Sequence, residues 1–219
     1  MSHSTSTEHE LPIDRLPIRR ALISVFDKTG LDTLAKELAA GGVELYSTGG
    51  TEKYLKGLGL EVHSVTELTH FPEVFDGRVK TLHPMVHGGL LFRRELHSHI
   101  VQAAEHEIQP IDLLVINLYP FEETVKKPGA TAQEIIEQID IGGPAMLRSA
   151  AKNFRGVALL TAPDQYGRFL TEWKGSAGTT TTALRLELAR DAFEQVARYD
   201  RAIADHFLTL VAGGCLLYT

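Results

Sequence analysis

Four side chains in this sequence could move protons, and each stands in a short stretch of small, turn-forming or aromatic residues: Lys80, Tyr119, Asp140 and Lys152. Lys80 lies in Arg78-Val79-Lys80-Thr81-Leu82-His83-Pro84. In an extended segment Arg78 and Lys80 project to the same side and suit an anionic ligand, although a solvated basic pair reads the same way. Tyr119 follows Asn117-Leu118 and precedes Pro120 at the exit of an apolar run. Its hydroxyl can donate into a cleft, or stay in water at the edge of a core. Asp140 precedes Ile141-Gly142-Gly143-Pro144, where a carboxylate either caps a helix or remains open to chemistry. Lys152 ends the small-residue run Ala150-Ala151-Lys152-Asn153. A partly buried ammonium there would have a lowered pKa and could act as acid or base.

Two loops add a binding chemistry. Ser24 to Gly30 and Ser47-Thr48-Gly49-Gly50-Thr51 are rich in Gly, Ser and Thr, and each runs toward a helix. Backbone N–H groups at such helix starts can cradle a phosphate, with Lys28 adding positive charge; plain capping and tight turns are the alternative. Neither loop follows the P-loop or the GxGxxG pattern. Metal binding is not expected. His83 and His87 are separated by Pro84, His97 and His99 lie in a polar stretch, and there is no HExxH. Cys215 has no evident base partner for thiol chemistry.

These residues need a frame. Ala21 to Val25 is a short apolar run, and Leu31, Leu34, Ala35 and Leu38 then repeat at helical spacing up to Gly41-Gly42. Strands at Val43–Tyr46 and Val62–Val65 enclose a short helix near 52–58. Residues 66–93, with Phe71-Pro72, Asp76-Gly77, His83-Pro84 and Gly88-Gly89, read as a long irregular insertion. A helix near 94–107 leads to Ile111 to Leu118, so uniformly apolar that both faces must be covered. Thr131-Ala132-Gln133-Glu134 is a capping box, Gly142-Gly143-Pro144 opens a helix, and Val157 to Leu160 is a fifth strand. A long last helix carries Leu186, Ala189, Phe193, Val196, Ile203 and Phe207 on one stripe. Strand–helix alternation implies an α/β domain with a mostly parallel sheet, whose ligands bind beyond the carboxyl ends of strands.

Composition bounds the function. With 219 residues, 43% hydrophobic and 23% charged, the chain is globular. Lys plus Arg is 22 against 28 Asp plus Glu, a net charge of −6, which disfavours a nucleic-acid-coating role. No apolar stretch approaches the ~20 residues of a spanning helix, and no membrane association is expected. Met1 to Glu10 lacks a signal-peptide core, and a single cysteine fits a reducing, cytoplasmic compartment. Residues 1–17 read as a flexible tail, 18–209 as the folded domain and 210–219 as a C-terminal tail.

Taken together and in order, Ser-Val-x-Asp-Lys-Thr-Gly-Leu (24–31), Ser-Thr-Gly-Gly-Thr (47–51), Phe-Pro-Glu-Val-x-Asp-Gly-Arg-Val-Lys-Thr-Leu-His-Pro (71–84), Asn-Leu-Tyr-Pro-Phe (117–121), Gln-Ile-Asp-Ile-Gly-Gly-Pro (138–144) and Ala-Ala-Lys-Asn (150–153) resemble the inosine monophosphate (IMP) cyclohydrolase domain of bifunctional purine biosynthesis proteins. The likeness runs from about 18 to 207. It implies a methylglyoxal-synthase-like, three-layer α/β fold. It implies closure of the formamido-carboxamide nucleotide FAICAR to IMP and water, with no metal or organic cofactor, by a homodimer. By motif, it makes Lys80, Tyr119, Asp140 and Lys152 the catalytic group. Ser24, Lys28, Thr48, Gly49, Gly50, Thr51, Arg78, Thr81, Ile141, Gly142 and Gly143 would hold the nucleotide, with Asn117 and Asn153 in support. Phe154 stands where the family usually has His, so no imidazole role is expected there; residues 210–219 do not resemble the family's interdomain linker, and with no formyltransferase half in this sequence formyl transfer is not expected. A ligand-binding module of the same fold, a triose-phosphate lyase and an inactive scaffold are the competing readings.

Overall fold

The computed structural model describes residues 14–75 and 77–212. Strands β1 (Arg15–Pro17) and β2 (Arg20–Val25) lead into α1 (Leu31–Ala40), β3 (Glu44–Ser47), α2 (Gly49–Gly57), β4 (His63–Ser64) and α3 (Val65–Thr69). Then come α4 (Pro84–Leu91), α5 (His97–Glu105), β5 (Leu113–Asn117), α6 (Phe121–Val125), α7 (Ala132–Glu137) and α8 (Gly142–Lys152). The chain continues through β6 (Ala158–Leu160), α9 (Gln165–Gly175), β7 (Thr179–Thr181) and α10 (Thr182–Ala212).

The main sheet has the order β4-β3-β2-β5-β6, all parallel. β2 pairs with β3 on one side and with β5 on the other, Ile23 facing Ser47 and Val115. The chain winds outward in both directions from β2, so the loops leaving β2, β3 and β5 part around one crevice. Side chains alternate across the sheet. Ala21, Ile23, Val25, Leu113 and Val115 join α1 and α9 in one core, while Leu22, Leu114 and Ile116 join α4, α8 and α10 in the other. Two covered faces explain why β2 and β5 read as unbroken apolar runs. The result is the expected three-layer α/β architecture.

Several local expectations change. The insertion holds two helical segments, α3 and α4, and is irregular between them and just after α4. Pro84 takes the first position of α4, and His83 Nδ1 accepts the N–H of Met85 at 3.2 Å. Gly88 and Gly89 are helical rather than turn residues; a Cβ on Gly89 would lie 2.5 Å from the carbonyl of Gln109. The strand expected through Val65 stops at Ser64, whose N–H donates to Glu67 and opens α3 instead. Arg15–Pro17, assigned to the tail, pair antiparallel with β7 and bury Leu16. α10 runs through to Ala212, and the remaining tail residues, 1–13 and 213–219, lie outside the described residues. The apolar stripe of α10 is only half covered: Ala189 and Val196 are buried, but Leu186, Phe193 and Phe207 are exposed.

Candidate active site

At the carboxyl ends of β2, β3 and β5 lies a cleft of about 370 Å³. Ser24, Lys28, Thr48–Thr51, Lys80, Thr81, Asn117, Tyr119, Asp140 and Gly143 all line it.

Hydroxyls build its floor. Ser47 Oγ donates to Ile23 O at 2.7 Å, and Thr51 Oγ1 accepts from Val25 N–H at 3.1 Å while donating to Val25 O at 2.9 Å. These bonds lash the first turn of α2 to the end of β2. Ser24 Oγ and Thr48 Oγ1 face each other at 3.3 Å across the crevice. No side chain caps α2, and Gly49 takes φ +50, so its first turn presents backbone N–H groups next to Lys80, whose Nζ is 4.0 Å from where a Gly49 Cβ would stand. An uncapped helix start with an adjacent ammonium is suited to a phosphate.

Asn117 acts as a clamp. Its Oδ1 accepts the N–H groups of Phe26 (2.7 Å) and Asp27 (2.9 Å), and its Nδ2 donates to Asp27 O at 2.9 Å. Within the loop so fixed, Thr29 donates to Asp27 and holds that carboxyl below its ordinary pKa. Phe26, unremarked in the sequence apart from its motif, meets Tyr119 edge-on at 4.4 Å, and the Lys127 ammonium lies 5.4 Å from the Tyr119 ring centroid.

Asp140 both caps a helix and faces the cleft, so the two readings of its carboxylate are compatible. Oδ1 accepts Gly143 N–H at 2.9 Å, and among the described residues Oδ2 has no donor. The walls touch at two glycines: a Cβ on Gly142 would stand 2.6 Å from Thr81 Oγ1, and one on Gly143 2.2 Å from Asp140 Oδ2. A methyl at either place would force Thr81 or Asp140 to shift.

Arg78, Ile141 and Gly142 line an adjoining recess of about 690 Å³ that shares Gly77, Lys80, Thr81 and Asp140 with the cleft. The bridge between Val74 and Val79 turns this segment back on itself, and Arg78 pairs with Glu137 at 3.1 Å on the surface. The two cations of this motif therefore serve adjoining spaces.

Two expected residues lie elsewhere. Lys152 is exposed at the other end of α8, on a groove of about 790 Å³ between α8 and α10. Asn153 is buried, its Nδ2 donating to Leu90 O at 2.8 Å and Phe92 O at 3.0 Å, and so ties the end of α8 to the end of α4. The motifs at 138–144 and 150–153 stand at opposite ends of α8, which at 1.5 Å per residue separates its ends by about 15 Å.

Among the described residues no helix is long and apolar enough to cross a membrane. A model of the MGS-like domain matches residues 30–145, and one of the AICARFT/IMPCHase bienzyme matches residues 150–213. The chain is 53% identical over 201 residues to a bifunctional purine biosynthesis protein PurH of Rhodopirellula baltica, covering 92% of this chain and 38% of that protein. It is 56% identical over 199 residues to PurH of Xanthomonas campestris, covering 91% and 37%. The chain thus spans well under half the length of these curated relatives. A crystal structure of ForH superimposes with a TM-score of 0.77 at 36% identity, covering 86% of this chain and 96% of that one. From the matched domain and this degree of identity, the chain belongs to the MGS-like domain family, among sequences akin to the bifunctional purine biosynthesis proteins.

Proposed function

We propose that this chain is an IMP cyclohydrolase, closing FAICAR to inosine monophosphate with loss of water in the cytoplasm. The observation that carries the reading is the meeting of Lys80, Tyr119 and Asp140 with the uncapped start of α2 in one cleft. The kinship with PurH proteins supports it.

In the reaction the carboxamide nitrogen attacks the formamido carbon of the same molecule. A C–N bond forms, the carbonyl oxygen takes up a proton, and the resulting hydroxyl leaves as water with the ring N–H proton. The attack is intramolecular, so the protein has chiefly to hold the folded rotamer and move protons. The helix start, Ser24, Lys28 and Thr48 anchor the phosphate end. Asp140 Oδ2, free of donors, takes the amide proton, while Gly143 N–H on Oδ1 keeps the carboxylate aimed. Charge on the oxygen is met by Lys80, Tyr119 or the N–H groups of Ile141 and Gly142; that of Gly143 is already spent on Asp140. Water loss draws its proton from Lys80 or Tyr119.

Lys152 belongs to this machinery in a homodimer. It opens away from its own cleft, so in this reading it serves the cleft of a second copy seated on the α8–α10 groove. Purified protein given FAICAR should show hypoxanthine absorbance growing in the ultraviolet, at a rate lowered about a hundredfold by Asp140→Asn but still measurable. A folded protein that binds IMP yet gives no turnover would overturn the assignment.

A further inference from the structure

Tyr199 is a buried phenol on α10, far in sequence from every motif considered above. Its hydroxyl oxygen accepts the backbone N–H of Asp140 at 2.8 Å. Phe121 meets its ring edge-on at 6.3 Å. As packing alone, a phenylalanine would fill this place without the cost of desolvating a hydroxyl. Burial also pushes the phenol above its ordinary pKa, so it stays neutral.

The segment it holds packs through Ile139 and Pro144, but its other hydrogen bonds are local. Gln138 and Ile139 donate back to Ile135 and Ile136 at the end of α7, and Ala145 donates to Ile141 at the start of α8. The Asp140 carboxylate bonds only forward, to Gly143 N–H. Among the described residues, the bond to Tyr199 is the one hydrogen bond joining residues 138–144 to a distant part of the chain. Both cleft and recess take part of their wall from this segment.

We infer that Tyr199 is a positioning residue: its hydroxyl fixes the main chain at Asp140 and thereby aims the Asp140 carboxylate into the cleft. The inference rests on the cyclohydrolase reading, which gives Asp140 a part in the chemistry. Removing the hydroxyl leaves the ring packed against Phe121 but frees the Asp140 N–H, and the carboxylate loses its fixed bearing. A misaimed base costs rate rather than affinity.

The test compares the whole chain with its Tyr199→Phe variant. Turnover of FAICAR should fall about tenfold in kcat with KM changed by less than about twofold, because a group misplaced in the transition state is felt there and not in ground-state binding. The Asp140 amide should exchange with solvent faster in the variant, read by NMR. In an Asp140→Asn background the same substitution should change the residual kcat by less than about twofold, since the two residues act as one unit. Wild-type kcat in Tyr199→Phe, or an equal loss with and without the Asp140 carboxylate, overturns the inference. An inactive wild type would instead overturn the cyclohydrolase reading on which it rests, whatever the amide exchange shows.

Discussion

Helix α8 joins two cavities of opposite character. Its N-terminal end, at Asp140 to Gly143, faces a cleft of about 370 Å³ walled by loops from β2, β3, β5 and the 70–83 segment. Its C-terminal end, at Arg148 to Lys152, faces a groove of about 790 Å³ walled by α8, α10 and the last residue of α4. The cleft is smaller and polar, and its hydroxyls, amides and charged groups come from sequence-distant segments aimed at one point. The groove is larger and apolar, with Leu186 52% and Phe193 42% exposed, and its cations Arg148 and Lys152 have no carboxylate partner among the described residues. Convergence of polar groups marks a reacting centre, while a wide apolar trough with a charged rim is what a second protein surface covers.

The sharpest way to break this contrast is to disable each end separately. Lys80→Ala and Lys152→Ala should each lower kcat by about a hundredfold or more, while the fold stays intact. If Lys152 serves the cleft of a second copy, mixing the two inactive variants should restore turnover to about a quarter of wild type. Half of the dimers are then mixed, and each mixed dimer holds one site with both lysines. Equal loss with no recovery on mixing would sink the exchange across copies and leave the groove without its proposed role.

A smaller effect is expected at the wall of the cleft. In Gly143→Ala the new methyl would lie 2.2 Å from Asp140 Oδ2 and 2.7 Å from Leu118 Cδ2. The carboxylate must swing aside, and kcat should drop roughly tenfold, with IMP affinity less affected. Unchanged kcat would show that Asp140 is not aimed as described.

The two asparagines sharpen the comparison further, because both were expected to support substrate. Each bonds two distant backbones, so Asn117→Ala and Asn153→Ala should each cost about 1–3 kcal/mol of stability. Only Asn117 clamps a loop of the cleft, so only Asn117→Ala should raise KM. Denaturant midpoints beside KM values would separate the two; a raised KM in Asn153→Ala would contradict its buried placement between α8 and α4, away from the cleft.

What the sequence revealed, and what it did not, follows the same division. The runs of β2 and β5, the helical spacing of α1, the capping box of α7 and Pro144 in α8 are local signals that tertiary packing reinforced. α9 is missing from the expected elements, although Tyr166, Phe169 and Trp173 stand at helical spacing. Gly88 and Gly89 misled because glycine's ordinary signal is a turn, whereas here it admits Ile108 and the Gln109 carbonyl against α4. Loop motifs located the cleft because each follows a strand of a parallel sheet. The position of Lys152 is not legible in the same way, because two motifs at opposite ends of one helix can face different cavities. Tyr199 left no trace, since nothing in a helical stripe tells that one phenol bonds a backbone 59 residues away.

The smallest expected effect concerns the core beneath the first loop of the cleft and is read in alkaline solution. Tyr166 lies beneath the Ser24–Gly30 loop, its ring 3.6 Å from where a Cβ on Gly30 would be. Burial, and then the nearby Asp27 carboxylate, push its phenol up to about 12 from an ordinary 10.0. Between those values the unfolded chain has released the proton while the folded chain keeps it, so the native state binds more protons. Stability then falls as pH rises through this window, by no more than about 1.4 kcal/mol per pH unit from this group, and is insensitive to it below pH 10. Tyr166→Phe removes this contribution and leaves every other titrating group in place. Denaturant midpoints of the two proteins, followed from pH 9 to 11, should therefore show wild type losing stability relative to the variant as pH rises. Parallel curves would mean that the phenol ionises as readily in the fold as outside it, and that the core around Tyr166 is wetter than its packing indicates.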